Sequence, residues 1–433
     1  MKKFPSSISR RPQSSALLHS SSSDEVEAKG DKQADICAQN NLPSLPDDVL
    51  FKILLNLSAE DIYRASLVCR SLYYSTIRSE KFVNLHLQQT DEYGLLFRFN
   101  YDPTRCELIT NDQHSSQRTV LVSMKQGRVK VFNYKSIFSF NSSCNGLINE
   151  DKWDTLSEIH VVNPVTGRAL RLPPLPKNAS LPRCCVGYAQ ASKAYKVALA
   201  YSPGGKDAWR AILTVGVDSS WRHLATDHLT KYTMGRLMVT EGFVHLVFGD
   251  TVQTLNVETE VMTETRPPVS EGYYINYTHW YLPGGKVLTL VNEVEDGVFR
   301  VWEMVSGDCC YWREWEHQIV LGKQLQEIRE VCGDEYRFII CPVGWLQQME
   351  VLVFKGWPIN ERSDVVFYVV IATGKIGWIT PISSNKEGLV DEFYKFYDPV
   401  VPHRNTLVEL EGQEEIGGYV NSRLGREIGC AKS

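Results

Sequence analysis

Hydrophobic and polar positions divide the chain into stretches of different period. Between Leu42 and Leu87 apolar residues recur every three or four positions, the spacing of a helix face. Val49, Leu50, Ile53, Leu54 and Leu57 form one stripe. It is opened by Pro46-Asp47-Asp48, where proline suits a first helical turn and the acids meet the positive end of the helix dipole. Ser58-Ala59-Glu60-Asp61 reads as a second helix start, a hydroxyl cap with an acid at the third helical position. Ile62, Ala65, Leu67 and Val68 give its apolar side, and Cys69, Leu72, Tyr73, Ile77 and Phe82 continue at helical spacing with a break near Ser79. The pattern predicts three short helices over residues 42–88.

So small a segment cannot bury all of that apolar surface by itself, because short chains bury a smaller fraction of their area. Part of the stripe therefore faces either the next domain or a partner. A DNA-reading helix-turn-helix is the poorer fit, since only Arg64 and Arg70 stand between Ser58 and Ile77, beside Glu60 and Asp61.

After Leu87 the helical period gives way to about a dozen short strands with turn signals between them, the signature of an all-β architecture. Related hairpins recur at Asn163–Pro174, Asn256–Pro268 and Ile371–Pro381, each reading strand, polar turn, strand, proline. Pro164 presets a type I turn, and Gly167 supplies the left-handed conformation that closes it. With Thr166, Ser219, Thr259, Ser306 and Thr373 as turn marks, the separations are 53, 40, 47 and 67 residues. A repeat of this length points to propeller blades, near the kelch period of about 50, and the span 93–418 divides into six or seven. Two packed β-sandwiches are the rival. A propeller has the further merit of removing exposed strand edges.

The ends are different again. Residues 1–23 are Ser-rich, carry Lys2, Lys3, Arg10 and Arg11 and hold no acid; mixed charge follows to residue 41. Too few apolar residues are present to fold, so 1–41 reads as a disordered tail, with a transit peptide as the alternative, and 419–433 reads as a flexible end. The basic pairs suit nuclear import, and nucleus or cytoplasm is the expected location.

Charge and composition narrow the function. A formal net charge of -5 argues against a protein whose main task is neutralising nucleic-acid phosphates, though a local basic patch is compatible with it. Eleven cysteines without any C-x-x-C spacing fit buried thiols in a reducing compartment better than a disulfide or zinc framework. No apolar run approaches the roughly 20 residues of a membrane-spanning helix. Catalytic constellations are missing as well. His223 and His228 would point to opposite faces of a strand, and Glu293, Glu295 and Asp296 precede Gly297 in a hairpin turn. No G-x-S-x-G elbow or phosphate loop occurs, and no catalytic residue, metal or cofactor is expected.

The helical segment resembles a known module. Leu45-Pro46-Asp47-Asp48, Ile53, Leu57, Asp61-Ile62, Val68-Cys69-Arg70 and Phe82 are similar, in that order, to the F-box, which docks substrate receptors onto a Skp-family adaptor in cullin-RING ubiquitin ligases. The resemblance implies an adaptor-facing surface made by Leu45, Pro46, Leu50, Ile53, Leu57, Val68, Cys69 and Arg70. One position departs from the pattern: Leu72 stands where the family usually carries Trp, with Tyr73 and Tyr74 beside it.

The β-rich part resembles the F-box-associated domain of plant F-box proteins. Ser143-Cys144-Asn145-Gly146-Leu147-Ile148 is similar to that family's buried SCNGLI strand; Asn163-Pro164-Val165-Thr166-Gly167-Arg168 and Leu172-Pro173-Pro174 match its NPxTGR and LPP pair; Gly187-Tyr188 and Tyr195-Lys196-Val197 follow. The joint expectation is a non-catalytic substrate receptor of an SCF-type ligase, holding a protein target on a kelch-like propeller. A propeller interaction module outside any ligase, binding a protein, peptide or sugar, is the alternative. For target contact the aromatic residues Trp280, Trp345 and Trp357 are the candidates, placed by the pattern in or beside loops, where a rigid scaffold displays binding residues.

Overall fold

The computed structural model describes residues 45–89, 93–99, 118–125, 128–135, 139–151, 159–177, 179–203, 209–225, 235–248, 251–268, 279–306, 310–332, 338–358, 365–379, 400–415 and 426–427. Two compact units contain them, residues 1–52 and residues 53–433. The expected tail at 1–41 lies outside the described residues.

The helical segment holds four helices where the pattern counts three: α1 (Asp47–Leu55), α2 (Ala59–Val68), α3 (Arg70–Ser75) and α4 (Glu80–Gln89). Ser58 caps α2 as its sequence implies, accepting a hydrogen bond from the Asp61 amide at 3.2 Å. The stretch expected to run on through Cys69 breaks there, because Cys69 is extended (φ -137, ψ 116) and ends one helix as it begins the next. At the second break, Ser79 Oγ accepts from the Phe82 amide at 3.3 Å and starts α4. Ile62, Ile77, Phe82 and His86 point inward and are nearly inaccessible.

Six antiparallel sheets follow, arranged as the blades of a propeller. Blade two runs Ser139–Cys144, Leu147–Asp151, Ile159–Asn163, Arg168–Arg171, and blade three runs Ala179–Ala189, Ala194–Pro203, Trp209–Thr214, Arg222–His223. Blade four runs Arg236–Thr240, Phe243–Phe248, Thr251–Asn256, Met262–Thr265, and blade five His279–Pro283, Leu288–Glu295, Val298–Val305, Tyr311–Glu314. Blade six comprises Phe338–Leu346, Val351–Pro358, Val365–Val370 and Lys375–Trp378.

Blade one is composite. Gly94–Phe99, Arg118–Lys125 and Arg128–Lys135 form its outer three strands, and Val401–His403, from the far end of the chain, forms the innermost. The pairing of Leu96 with Val401 and Gly94 with His403 thus closes the ring. Two residues assigned to the flexible end, Arg426 and Glu427, pair with Val131 and Lys130 on the outer edge of this blade.

Apolar layers between successive blades supply the core. Between blades five and six the aromatic rings of Trp280, Phe299, Phe354 and Phe367 follow one another at centroid separations of 6.3, 5.4 and 5.3 Å. One helix in this region was not legible in the sequence: α5 (Gly322–Cys332) covers the layer with Leu325 and Ile328.

The recurring hairpins of the sequence are the turns from third to fourth strand of a blade. In blade two the Gly167 amide donates to Asn163 O at 2.9 Å, in blade four Glu260 to Asn256 O at 2.9 Å, and in blade six Gly374 to Val370 O at 2.8 Å. The closing residue is left-handed each time, at φ 67, 59 and 64.

Candidate interaction surfaces

In the first unit Leu45, Pro46 and Val49 are exposed and Leu50 is half-buried. In the second, Ile53 is 45% exposed, Leu57 37%, Leu67 69% and Val68 87%, and Cys69 and Arg70 are exposed too. Within the second unit, leaving branched aliphatic side chains such as Ile53, Leu67 and Val68 in water is costly, and exposed apolar groups of this kind mark interaction sites. Leu72 is half-buried, and of its two aromatic neighbours only Tyr74 is freely displayed, at 67%. Tyr73 is engaged instead, its hydroxyl accepting from Arg78 Nε at 2.9 Å and Arg168 Nη2 at 3.2 Å.

The opposite side of α2–α4 is bolted to the propeller through His403-Arg404-Asn405-Thr406-Leu407-Val408-Glu409, a segment with no periodic signal of its own. Arg404 donates to Leu87 O at 3.1 Å and to Asn145 Oδ1 at 2.6 Å, with its guanidinium 5.0 Å above the Tyr93 ring. Asn163 donates to Thr406 O at 3.0 Å and Val408 O at 2.7 Å. Glu409 pairs with Arg168 at 3.1 Å and lies 3.8 Å from Arg78. Tyr63 donates directly to Thr166 O at 3.0 Å, and Val83 and Leu87 pack on the layer between blades two and three. The asparagine of NPVTGR is therefore a buried bolt. The SCNGLI stretch is likewise a hairpin rather than the single strand expected. Asn145 and Gly146 make its two-residue turn at φ 49 and 81, and Thr406 Oγ1 donates to Asn145 O at 2.7 Å.

A directed chain of hydrogen bonds crosses this junction. Burial pushes the His403 imidazole down to about 3, so the ring is neutral. Its Nε2 lies 3.0 Å from the amide oxygen Asn405 Oδ1, which can only accept, so Nε2 carries the proton. Nδ1 then accepts from the Ser143 hydroxyl at 2.7 Å, and Asn405 Nδ2 donates onward to the buried Glu60 carboxylate. Burial raises the Glu60 pKa against the lowering effect of its hydrogen bonds. Connectivity of Ser143, His403 and Asn405 matches a nucleophile, base and orienter, but an imidazole protonated only near pH 3 cannot take a proton at neutral pH. These residues join two parts of the chain.

Two of the three tryptophans, Trp280 and Trp345, are not displayed as expected. Trp345 lies in a strand, 3% exposed, donating through Nε1 to Thr289 Oγ1 at 2.8 Å, with its ring 5.6 Å from Trp315. Trp280 is a half-buried strand residue against Phe299. These placements correct the loop assignment: an aromatic side chain on a pleated inner strand has more to gain from the layer between blades than from solvent. Trp357 pairs with Ile339 through the backbone, and its side chain lies outside the described residues.

Other sequence candidates resolve simply. Asp296 and Gly297 form the expected hairpin turn, with Gly297 at φ 72, and Arg329 of α5 holds Asp296 through two bonds of 2.9 Å. His223 is an edge-strand residue, whereas His228 lies outside the described residues. Cys184, Cys185 and Cys341 are buried free thiols, the last two pushed up by burial, Cys341 to about 12. Among the described residues no group of three His, Cys, Asp or Glu side chains could hold a metal ion, and no helix is long and apolar enough to cross a membrane.

Comparison with known proteins agrees with this architecture. The family described as "F-box associated beta propeller domain" matches residues 94–376, and the one described as "F-box-like" matches residues 42–80. No curated protein sequence matches the chain. Among solved structures, an oligogalacturonate lyase in complex with manganese is 8% identical at a TM-score of 0.37, with 63% of this chain and 76% of that one covered. A putative 6-phosphogluconolactonase from Bacteroides uniformis is 9% identical at 0.30, covering 66% and 95%. The fission yeast SREBP-SCAP binding domains are 9% identical at 0.31, covering 68% and 82%. Likenesses this remote have no bearing on function. An F-box-like module followed by this propeller fits a non-catalytic adaptor role. The chain belongs to the F-box associated β-propeller domain family.

Proposed function

We propose that this protein is the substrate-recognition subunit of an SCF-type cullin-RING ubiquitin ligase. Its F-box docks a Skp-family adaptor, and its propeller, kelch-like in the length of its repeat, holds a target protein. One observation carries the reading: Ile53, Leu57, Leu67 and Val68 are left exposed, although α4 already packs its own apolar residues onto the propeller. That unspent apolar surface needs a partner. The contribution to ubiquitin transfer is positional, since holding a target lysine near the conjugating enzyme makes their encounter effectively intramolecular. The bolts from Glu60, Tyr63, Tyr73 and Leu87 to the propeller support such a role, because a target held at one end is then fixed relative to the other. Free buried thiols suit work in the nucleus or cytoplasm.

Affinity capture of the tagged full chain from cells tests the assignment. The ligase reading predicts that a Skp-family adaptor and a cullin are recovered together, and that Ile53→Asp loses both. Recovery of the adaptor without a cullin supports the ligase-independent propeller module instead.

A further inference from the structure

Successive residues of a strand point to opposite faces of its sheet, and blade four uses its two faces differently. Val244, Leu255 and Met262 share one face and pack in an apolar layer with Ala198 and Ile212 of blade three. The other face meets blade five and changes character along its length. Met238, Val247 and Val252 close one part of it against Tyr281, Leu288 and Trp302. Toward the turn from third to fourth strand the same face becomes polar: Phe243 pairs with Asn256, and Thr254 pairs with both His245 and Thr263. A cavity of about 240 Å3 lies there, lined by Phe243, Thr254, Asn256, Val261 and Thr263 and, from blade five, by Cys310 just before the strand Tyr311–Glu314.

The polar wall is held in place and keeps hydrogen-bonding capacity to spare. The Thr254 hydroxyl donates to Met304 Sδ at 3.9 Å, so it accepts from His245 Nδ1 at 3.0 Å, and His245 Nε2 accepts from the Thr240 hydroxyl at 2.8 Å. One lone pair of Thr254 is left to accept from a ligand. Asn256 Oδ1 is taken by the amides of Glu258 and Thr259 at 2.9 and 3.1 Å, which fixes the side chain and leaves its two amide hydrogens without a partner among the described residues. The Thr263 hydroxyl has only the weak contact with Cys310 Sγ at 3.3 Å. None of these lining side chains is charged. Both carboxylates of the adjoining turn are engaged by blade three: Glu258 accepts from the Ala191 and Ser192 amides at 2.9 and 3.1 Å, and Glu260 pairs with Arg222 at 2.7 Å and Lys196 at 2.9 Å. A charged ligand would be desolvated here without a counter-charge, whereas neutral hydroxyls match the wall and ring C–H groups match Phe243 and Val261. The volume is that of roughly eight waters in the liquid, the scale of one substituted six-membered ring.

We propose that this cavity between blades four and five is a binding site for a neutral polyhydroxylated ring, the chemistry of a monosaccharide. Thr254 accepts from a ring hydroxyl, Asn256 Nδ2 donates to another, Thr263 does either, and Phe243 covers the apolar edge of the ring. The site goes beyond the receptor reading and stands without it. A free sugar and a sugar carried on a polypeptide share this chemistry, and methyl glycosides distinguish them.

Saturation-transfer-difference NMR on the purified full chain, titrated for dissociation constants, compares D-glucose, D-galactose, N-acetylglucosamine and myo-inositol with the charged rings D-glucuronate and D-galacturonate. At least one neutral ring should bind, about tenfold or more tighter than either uronate. Thr263→Val removes a hydroxyl at constant shape, and Asn256→Asp keeps the acceptor of the turn while removing the donor; each should weaken binding about fivefold or more. Val261 is 57% exposed, so Val261→Trp should fold with an unchanged urea midpoint and abolish binding by filling the mouth. Binding kept by the methyl glycoside assigns a sugar carried on a polypeptide, and binding lost on methylation assigns a free sugar. No neutral ring bound, uronates bound as tightly, or binding that survives Val261→Trp or is unmoved by Thr263→Val and Asn256→Asp overturns the proposal.

Discussion

Replacing Asn405 by alanine removes one side chain that serves both halves of the junction. The Glu60 carboxylate loses a donor, and His403 Nε2 loses the oxygen it donates to at 3.0 Å. A hydrogen bond to a charged group contributes about 1.5–3 kcal/mol, and a buried donor left unsatisfied costs about 1–3 kcal/mol, so the variant should lose about 3–5 kcal/mol. Glu60→Ala alone should cost less, because burial already penalises the ionised carboxylate it removes. The two losses should not add. A double-mutant cycle read by urea unfolding at pH 7, with tryptophan fluorescence as the signal, is expected to give a coupling of about 1.5–3 kcal/mol between Glu60 and Asn405. Coupling below about 0.5 kcal/mol, the level seen between independent sites, would refute the claim that this bond ties the F-box helices to the propeller.

Gly146→Ala should destabilise by about 1–2 kcal/mol from its left-handed φ of 81 alone, and by more because the new Cβ collides with Thr406; an unchanged urea midpoint contradicts this. Acid should weaken the fold between about pH 6.5 and 3. Burial holds His245 and His403 neutral down to about 3, so the stability they add is complete above the ordinary imidazole value of 6.5 and is lost as pH falls. His403→Gln should flatten that dependence by up to about 1.4 kcal/mol per pH unit. Glu60 works in the other sense, its raised pKa making ionisation oppose folding as pH climbs past the ordinary 4.5; Glu60→Gln should therefore gain stability at pH 7 relative to pH 4. Trp345→Phe, which loses the bond to Thr289, should cost about 1 kcal/mol of stability and leave target capture intact.

What the sequence disclosed follows from how local each signal is. Ser58 with Asp61, Asp296 with Gly297 and the repeated strand-turn-strand hairpins are decided by neighbours a few residues away, and each appears where the pattern puts it. The bolts are decided at long range. Asn163 looks like turn chemistry and is that, through Val165 N at 2.8 Å, but its other amide atom reaches residues 406 and 408. Glu60 reads as a helix-start acid, and only the fold brings Asn405 to it. The closing strand is three residues long, too short for any period to register. Helix α5 hides for a related reason, since Leu325 and Ile328 carry its buried side among mostly polar residues.

Adaptor binding by the exposed helix residues is the claim on which the account turns, and titration calorimetry of the purified full chain with a Skp-family adaptor measures it directly. Val68, 87% exposed and at the end of α2, is the residue to change. Burying a side chain of this size in an interface is worth about 1.5–3 kcal/mol, and a buried charge in its place adds a further penalty. A one-to-one complex is expected, which Val68→Asp weakens at least a hundredfold while the unfolding free energy from urea stays within about 0.5 kcal/mol of the parent chain. Equal affinity of the two proteins for the adaptor, or no complex with either, would contradict it.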